Sequence, residues 1–328
     1  MILVDLIIDG NYILSKNTFT LHKNNLLYGA LLKSLDLTIL NYRKWFPFAN
    51  VYLVSDSREK SWRKKIDKDY KSNRKKDSDI DWEFVFSTYL EFKDQCKYKG
   101  VKVLESSHIE GDDWISFLTD DSNRNGRSTI IVSNDYDIKQ IIKYTLNPLT
   151  INLMSNEMLN KQKLFLPKNY QIFVNEVSKL GETDDIFNLN DNSDFLKLIK
   201  SFAEKYEINE VDPIESLLTK VISGDQSDNI PSVWSVVKNG RKRGIGEAGA
   251  KSVFEKYLNE FGDVSLSDPD LFENIADLIC EKKNLSKTTI DEIKTNIEKN
   301  MKLIHLEVNS LPTEVKNRMQ NEFNKISN

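Results

Sequence analysis

A chain of 328 residues, 39% apolar and 29% charged, holds enough material for a hydrophobic core in one large or two ordinary domains. No apolar run approaches the roughly 20 residues that span a bilayer, and the opening MILVDLIIDG has neither a basic leader nor a small-residue cleavage site, so neither a membrane nor a secreted protein is expected. Cys96 and Cys280 are too few for a disulfide framework and lack a short metal spacing, which suits a reducing cytoplasm.

Net charge is −4, which alone argues against a nucleic-acid partner, but the charge is distributed unevenly. Between residues 58 and 76 there are ten Lys/Arg against three Asp/Glu, and Lys238, Arg241, Lys242 and Arg243 form a second basic cluster.

The first predicted element is a β-branched and leucine-rich run over residues 2–8, ending abruptly at Asp9-Gly10-Asn11 as a buried parallel strand would. A helix is predicted over 26–45, then a strand over 51–54 that ends in Ser55-Asp56. The basic stretch follows. A helix over 82–98, a strand over 101–104 and a helix beginning at 112 come next. A fourth strand over 129–132 ends in Ser133-Asn134-Asp135-Tyr136-Asp137. Residues 156–212 are polar, with helices and loops expected, and helical character resumes at 214–222, 248–261 and several later segments. Strands alternating with helices predict an α/β fold, a parallel sheet with helices on both faces.

Ligands bind such a sheet where the carboxyl ends of its strands meet the helix starts. Asp9, Asp56, Asp135 and Asp137 fall at these ends, and Glu110-Gly111-Asp112-Asp113 opens a helix just after the third strand. Each acid alone reads as a cap or a solvated turn, and Asp56 and Asp113 are the ones best explained that way. Their repeated placement outweighs that reading. Carboxylates crowded together need cations, and oxygen ligands suit Mg²⁺ or Mn²⁺, whereas three histidines leave little for zinc.

Two segments suit phosphate. VKNGRKRGIGEAGAKSV combines basic residues with Gly244 and Gly246 ahead of a helix, where backbone amides and the helix dipole favour an anion. Without its four cations it would read as an ordinary glycine-rich connection. The run SWRKKIDKDYKSNR sets Arg63, Tyr70, Lys71 and Arg74 at nearly helical spacing, joining charge to aromatic faces. A charge run is usually a solvated face, but this one directly follows Asp56.

In this order the motifs resemble those of the 5′ nuclease superfamily, and most closely its branch of phage ribonuclease H, 5′ to 3′ exonucleases and flap endonucleases. The likeness spans about residues 1–260 and rests on Asp9, the Asp56 to Arg74 block, Glu110 to Asp113, the Asp135 and Asp137 pair, and Gly224-Asp225 through Asp228 with the following GIG. It implies a PIN-like metal-binding core over 1–155 with an arch at about 57–81, a helix-three-turn-helix duplex-binding region within 213–262, and a helical region over 263–328. It also implies one divalent ion among Asp9, Asp56, Glu110, Asp112 and Asp135, with Asp113 beside them, and a second completed by Asp137, Asp225 and Asp228. Arg63 and Lys71 would face the cleaved phosphate, Tyr70 the terminal nucleotide and Arg74 the backbone, with K⁺ at the glycine turn. Family members often carry glycine where this chain has Tyr136 and alanine where it has Gly111.

The expected activity is metal-dependent cleavage at 5′ ends, flaps or RNA primers during DNA replication, by a monomer in a phage-infected cytoplasm. Its partners would be DNA and RNA/DNA duplexes, with a replicative polymerase, sliding clamp or single-strand binding protein alongside. A smaller PIN-type ribonuclease is the rival enzyme and would lack Asp225, Asp228 and the glycine turn. A noncatalytic branched-DNA binding protein is the rival of another class, and intact acids in every block speak against it.

Overall fold

The computed structural model describes residues 4–45, 49–74, 77–142, 150–152, 212–238, 241–286 and 289–327. The polar stretch expected at 156–212 lies, but for its last residue, outside the described residues. The chain divides into two units, one of Met1–Ser61, Asp77–Val211 and Glu307–Asn328, the other of Trp62–Lys76 and Asp212–Leu306. Among the described residues no helix is long and apolar enough to cross a membrane.

The first unit is built on five parallel strands, β1 Val4–Asp9, β2 Asn50–Val54, β3 Lys102–Leu104, β4 Ser128–Val132 and β5 Thr150–Asn152, in the order β3-β2-β1-β4-β5. Leu6, Ile7, Ile8, Leu53, Val54, Ile131 and Val132 are buried, as strands covered on both faces require. Among the described residues, helices α1 Gly10–Lys23, α2 Leu27–Trp45, α3 Trp82–Tyr98 and α4 Gly111–Arg124 flank the sheet. Asp81 caps α3 by accepting from the Phe84 amide at 3.0 Å. The chain leaves β1 to one side through β2 and β3, then returns to its other side through β4 and β5, so strand order reverses at β1. Open α/β sheets hold ligands at such a reversal.

Two elements of this unit were not predicted. Helix α1 starts directly from β1, with Gly10 as its first residue, where Asp-Gly-Asn reads as a turn. Strand β5 has only three residues, too few for a pattern.

At the opposite end of β1, Asp5 is fully buried and meets Asn50 Nδ2 at 2.8 Å, Ser122 Oγ at 2.5 Å and Arg127 Nε at 2.8 Å. Arg127 also reaches Asp121 at 2.8 Å. The C-terminal helix, Thr313–Ser327, belongs to this unit: Phe323 lies edge-on to Phe117, and Arg318 donates to the Ser107 carbonyl.

The second unit comprises α5 Pro213–Ser223, an antiparallel hairpin of β6 Ser235–Lys238 and β7 Arg241–Gly244, and helices α6 Glu247–Phe261, α7 Leu271–Lys283 and α8 Ile290–Ile304. Asp212 caps α5 through the Ile214 and Glu215 amides, ahead of Pro213. Leu217, Val221, Phe254, Ile275, Ile279 and Ile297 fill its core. Two expectations change here. A hairpin occupies the basic stretch ahead of the Gly-Ile-Gly turn, where no strand was predicted. The segment Trp62–Lys76, expected as part of an arch in the nuclease core, groups instead with this second unit.

Gly10 admits no side chain. A Cβ there would collide with the Tyr89 hydroxyl and stand 2.6 Å from the Val54 carbonyl oxygen and 2.8 Å from Ser55 Oγ. Gly10→Ala is therefore expected to destabilise the fold by roughly 2–4 kcal/mol, from overpacking against immobile backbone. Thermal denaturation beside Gly29→Ala, where a Cβ meets nothing within 4 Å, measures it.

Candidate active site

Strand register assembles the acids of the first unit. Asp9 pairs with Val54, so β2 runs out into Ser55-Asp56 beside it. Ile8 pairs with Val132, so Ser133 follows alongside Asp9, and Asp135 lies two residues on. Asp9 caps α1, accepting from the Tyr12 amide at 3.0 Å, and its second oxygen accepts from Ser133 Oγ at 2.7 Å.

Asp135 caps the short 3₁₀ turn Tyr136–Ile141 by accepting from the Asp137 amide at 2.8 Å, while its own amide donates to Ser133 Oγ at 3.1 Å. Ser133 thus links the Asp9 carboxylate to the Asp135 turn, and Asn152 on β5 holds it by bonds to its amide and carbonyl. Sequence reasoning passed over Ser133. Its signal was a serine between a buried strand and an Asp-x-Asp pair.

Asp56 accepts from the Gly111 amide at 2.7 Å, which draws the start of α4 toward the end of β2. A Cβ on Gly111 would sit 3.3 Å from that same Asp56 oxygen, so the space is close to full even for alanine. Glu110 is buried at the N-cap of α4 and Asp112 is half-buried in the first turn. Asp113, expected beside the metal ligands, is fully buried and accepts from the Glu110 amide at 3.1 Å. It closes a capping box, because the first amides of a helix need acceptors.

Burial pushes the Asp9 carboxyl up to about 6, and repulsion from Asp56 and Asp135 adds to this against the bonds from Tyr12 and Ser133. Asp9 therefore feels the charge of both. Tyr12, pushed up to about 12 by burial and by Asp9, and Tyr89, pushed up by burial, remain neutral beside them. The donors are hard oxygens in a partly desolvated setting, a chemistry that fits Mg²⁺ or Mn²⁺. Among the described residues, no three His, Cys, Asp or Glu side chains converge closely enough to form a ready-made coordination site.

The second unit holds the remaining candidates. Arg63, expected at the cleaved phosphate, is only 2% exposed; its Nε donates to the Leu303 carbonyl at 2.8 Å, and its guanidinium lies over Trp62. Tyr70, expected to stack on a nucleotide, is only 3% exposed, and its hydroxyl donates to Asp228 at 3.1 Å. Both are packed posts, because an aromatic or guanidinium plane suits a core contact as well as a base. Arg74 is half exposed and pairs with Asp228. Lys71 Nζ stands 3.8 Å from the same carboxylate.

Asp225 pairs with Lys220 at 2.8 Å and accepts from Ser227 at 2.7 Å. Burial raises its carboxyl, but Lys220 and Ser227 together hold it below its usual range. Lys238, Arg241, Lys242 and Arg243 lie on the hairpin strands, Gly244 closes β7 and Gly246 caps α6.

Asp9 ionises near 6 in the folded chain against an ordinary 3.8. Between those values the folded state holds the extra proton, so stability falls as pH rises through this window and stays lower above it. Asp9→Asn keeps the shape and the cap. In EDTA it is expected to gain roughly 1–3 kcal/mol at pH 7.5 and to lose the decline between about pH 4 and 6. Melting curves across that range would show it; an unchanged pH dependence would mean that Asp9 is not held in this environment.

The model of the 5′-3′ exonuclease N-terminal resolvase-like domain matches residues 5–169. A 5′-3′ exonuclease of Buchnera aphidicola subsp. Schizaphis graminum is 27% identical over 196 residues, covering 55% of this chain and 63% of that protein, less than two thirds of its length. One of Aquifex aeolicus is 25% identical over 325 residues, 94% of each chain. A solved bacteriophage T5 flap endonuclease, described as a complex with DNA and metal ions, shares the fold with a TM-score of 0.58 at 14% identity, over 99% of this chain and 98% of that one. With its acids at the carboxyl ends of a parallel sheet and the family model over half its length, the chain belongs to the 5′-3′ exonuclease family of nucleases.

Proposed function

We propose that the chain hydrolyses phosphodiesters at the 5′ ends, flaps or RNA primers of duplex nucleic acid, with Asp9, Asp56, Glu110, Asp112, Asp135 and Asp137 holding Mg²⁺, for which Mn²⁺ can substitute. The observation that carries this reading is a buried Asp9 that senses both Asp56 and Asp135 at the end of the central strand. A buried carboxylate opposed by two neighbouring acids suits a cation, and perturbed charge of this kind concentrates at functional sites. A bound divalent ion supplies a water acidic enough to attack near neutral pH and neutralises charge on the phosphate.

The chain's own groups do the rest. Ser133 and the Tyr12 amide fix both oxygens of Asp9, and the Gly111 amide fixes one of Asp56, so the carboxylates are oriented before substrate arrives. Hydrolysis forms a bond from water oxygen to phosphorus and breaks the bond to the 3′ oxygen, leaving a 5′ phosphate and a 3′ hydroxyl. In the second unit, Lys71, Arg74 and the basic hairpin are suited to backbone phosphates, which position a duplex without reading its sequence. Substrate choice then follows the shape of the 5′ end.

Digestion of labelled flap, nicked and RNA/DNA substrates with Mg²⁺ or EDTA tests this. Asp112→Asn and Asp135→Asn are expected to slow cutting by at least about 100-fold while duplex binding persists. Normal cutting by either variant, or by wild type in EDTA, would overturn the assignment.

A further inference from the structure

The turn after β4 inverts the usual burial of its side chains. In Asp135-Tyr136-Asp137-Ile138-Lys139, Ile138 is fully buried, Lys139 is only 7% exposed and Tyr136 is 50% exposed. Lysine is among the residues least often buried and tyrosine is intermediate, so the reverse arrangement is the ordinary one. The Lys139 ammonium lies 4.4 Å from the centre of the Tyr136 ring, within cation–π range, so a buried cation braces an aromatic ring that is left half exposed.

The backbone on either side of that ring is fixed. The Asp135 amide donates to Ser133 Oγ at 3.1 Å and the Asp137 amide to the Asp135 carboxylate at 2.8 Å, while Ser133 is tied to Asp9 and Asn152. Among the described residues of the first unit, the other strongly exposed aromatic side chains, Phe19, Tyr28, Phe86 and Tyr98, belong to α1, α2 and α3. Phe19 and Phe86 pack on Trp82, and Tyr28 packs on Phe84. Tyr136 alone of this set stands just past the carboxyl end of a strand, between two of the acids.

We propose that Tyr136 is a stacking platform for the base beside the cleaved phosphate, and so a specificity-determining contact of this chain. The proposal rests on the nuclease reading above, in which Asp135 and Asp137 lie around the ion. A phosphate drawn to those acids carries a nucleotide on each side, and the residue between the acids is placed to meet one of the two bases. Every base has a π-face, so such a stack tolerates any sequence, as selection by shape requires. The ring also binds without adding a charge among the carboxylates. A base stacked on it has left its own duplex, which costs least at a flap or an end and most inside a paired helix.

The contact is tested from both of its sides. Tyr136→Ala and Tyr136→Trp are compared with wild type on flap duplexes that carry a normal base or an abasic analogue at either nucleotide flanking the cleaved bond, with thermal melts confirming that each variant is folded. On the normal flap, kcat/KM falls about tenfold in Tyr136→Ala, as the loss of one base stack implies, and Tyr136→Trp recovers most of it. Where one of the two abasic positions removes the stacked base, wild type and Tyr136→Ala cut within about two-fold of each other, because the ring's partner is already gone. With Ca²⁺ in place of Mg²⁺, 5-iodouracil at that position photocross-links to the peptide containing Tyr136 in wild type and not in Tyr136→Ala. An equal loss on normal and abasic flaps, which is what a ring serving only its own turn gives, would overturn the proposal. So would unchanged kcat/KM of Tyr136→Ala on the normal flap, or cross-links confined to other peptides. The cross-link is read without turnover, so a wild type that binds flaps and cuts nothing would sink the nuclease reading while the stacking contact is judged by itself.

Discussion

The parallel registration of β1 between β2 and β4 is the constraint on which the first unit depends. All five strands run the same way, so every chain segment that emerges from their carboxyl ends emerges on one rim. A slip of one residue would turn each side chain to the opposite face of the sheet and carry Asp9 away from Ser133. The apolar content of the strands forbids this slip, since Leu6 to Ile8 and Ile130 to Val132 are buried throughout. The acids are therefore placed by hydrophobic register, although none of them contributes to the core.

Strand β1 carries two buried aspartates, and they are treated in opposite ways. Asp5 is compensated: Arg127 neutralises it, Ser122 and Asn50 complete its bonds, and the pair ties β1 to the segment leading into β4. Asp9 accepts two neutral hydrogen bonds and looks onto Asp56 and Asp135, so its charge is opposed rather than matched. Removing a partner from a buried pair commonly costs about 3–5 kcal/mol, which makes the Asp5 end a fastening. The Asp9 end carries the uncompensated charge, and a cation is its natural complement.

The second unit applies the same economy to positive charge. Its segment Trp62–Lys76 has many lysines and arginines, yet the side chains that look most suited to nucleic acid, Arg63 and Tyr70, are buried as posts against the Leu303 carbonyl and the apolar core. Burying these two fixes the segment so that Lys71 and Arg74 sit in a defined place. Ordering long cationic side chains beforehand would lower the entropy lost in the phosphate binding proposed for them.

The amino-acid sequence by itself determined the α/β class, four of the five strands and the acids that close them, because a strand buried on both faces leaves a continuous apolar run that a terminal carboxylate interrupts. It also held the order of motifs by which the family could be recognised. Helix α1 escaped it because its polar face resembles a loop and it begins at a glycine, whose need arises from Tyr89 and Val54, remote in the chain. Strand β5 was too short to show a period, and the β6–β7 hairpin was hidden because its basic residues were read as a phosphate-facing turn rather than as strands. Only the tertiary structure decided that Ser133 joins two acids and that Arg63 and Tyr70 face inward. Each of those outcomes depends on a partner brought close by folding, such as Leu303 at 240 residues from Arg63, and a local pattern cannot register a neighbour at that distance.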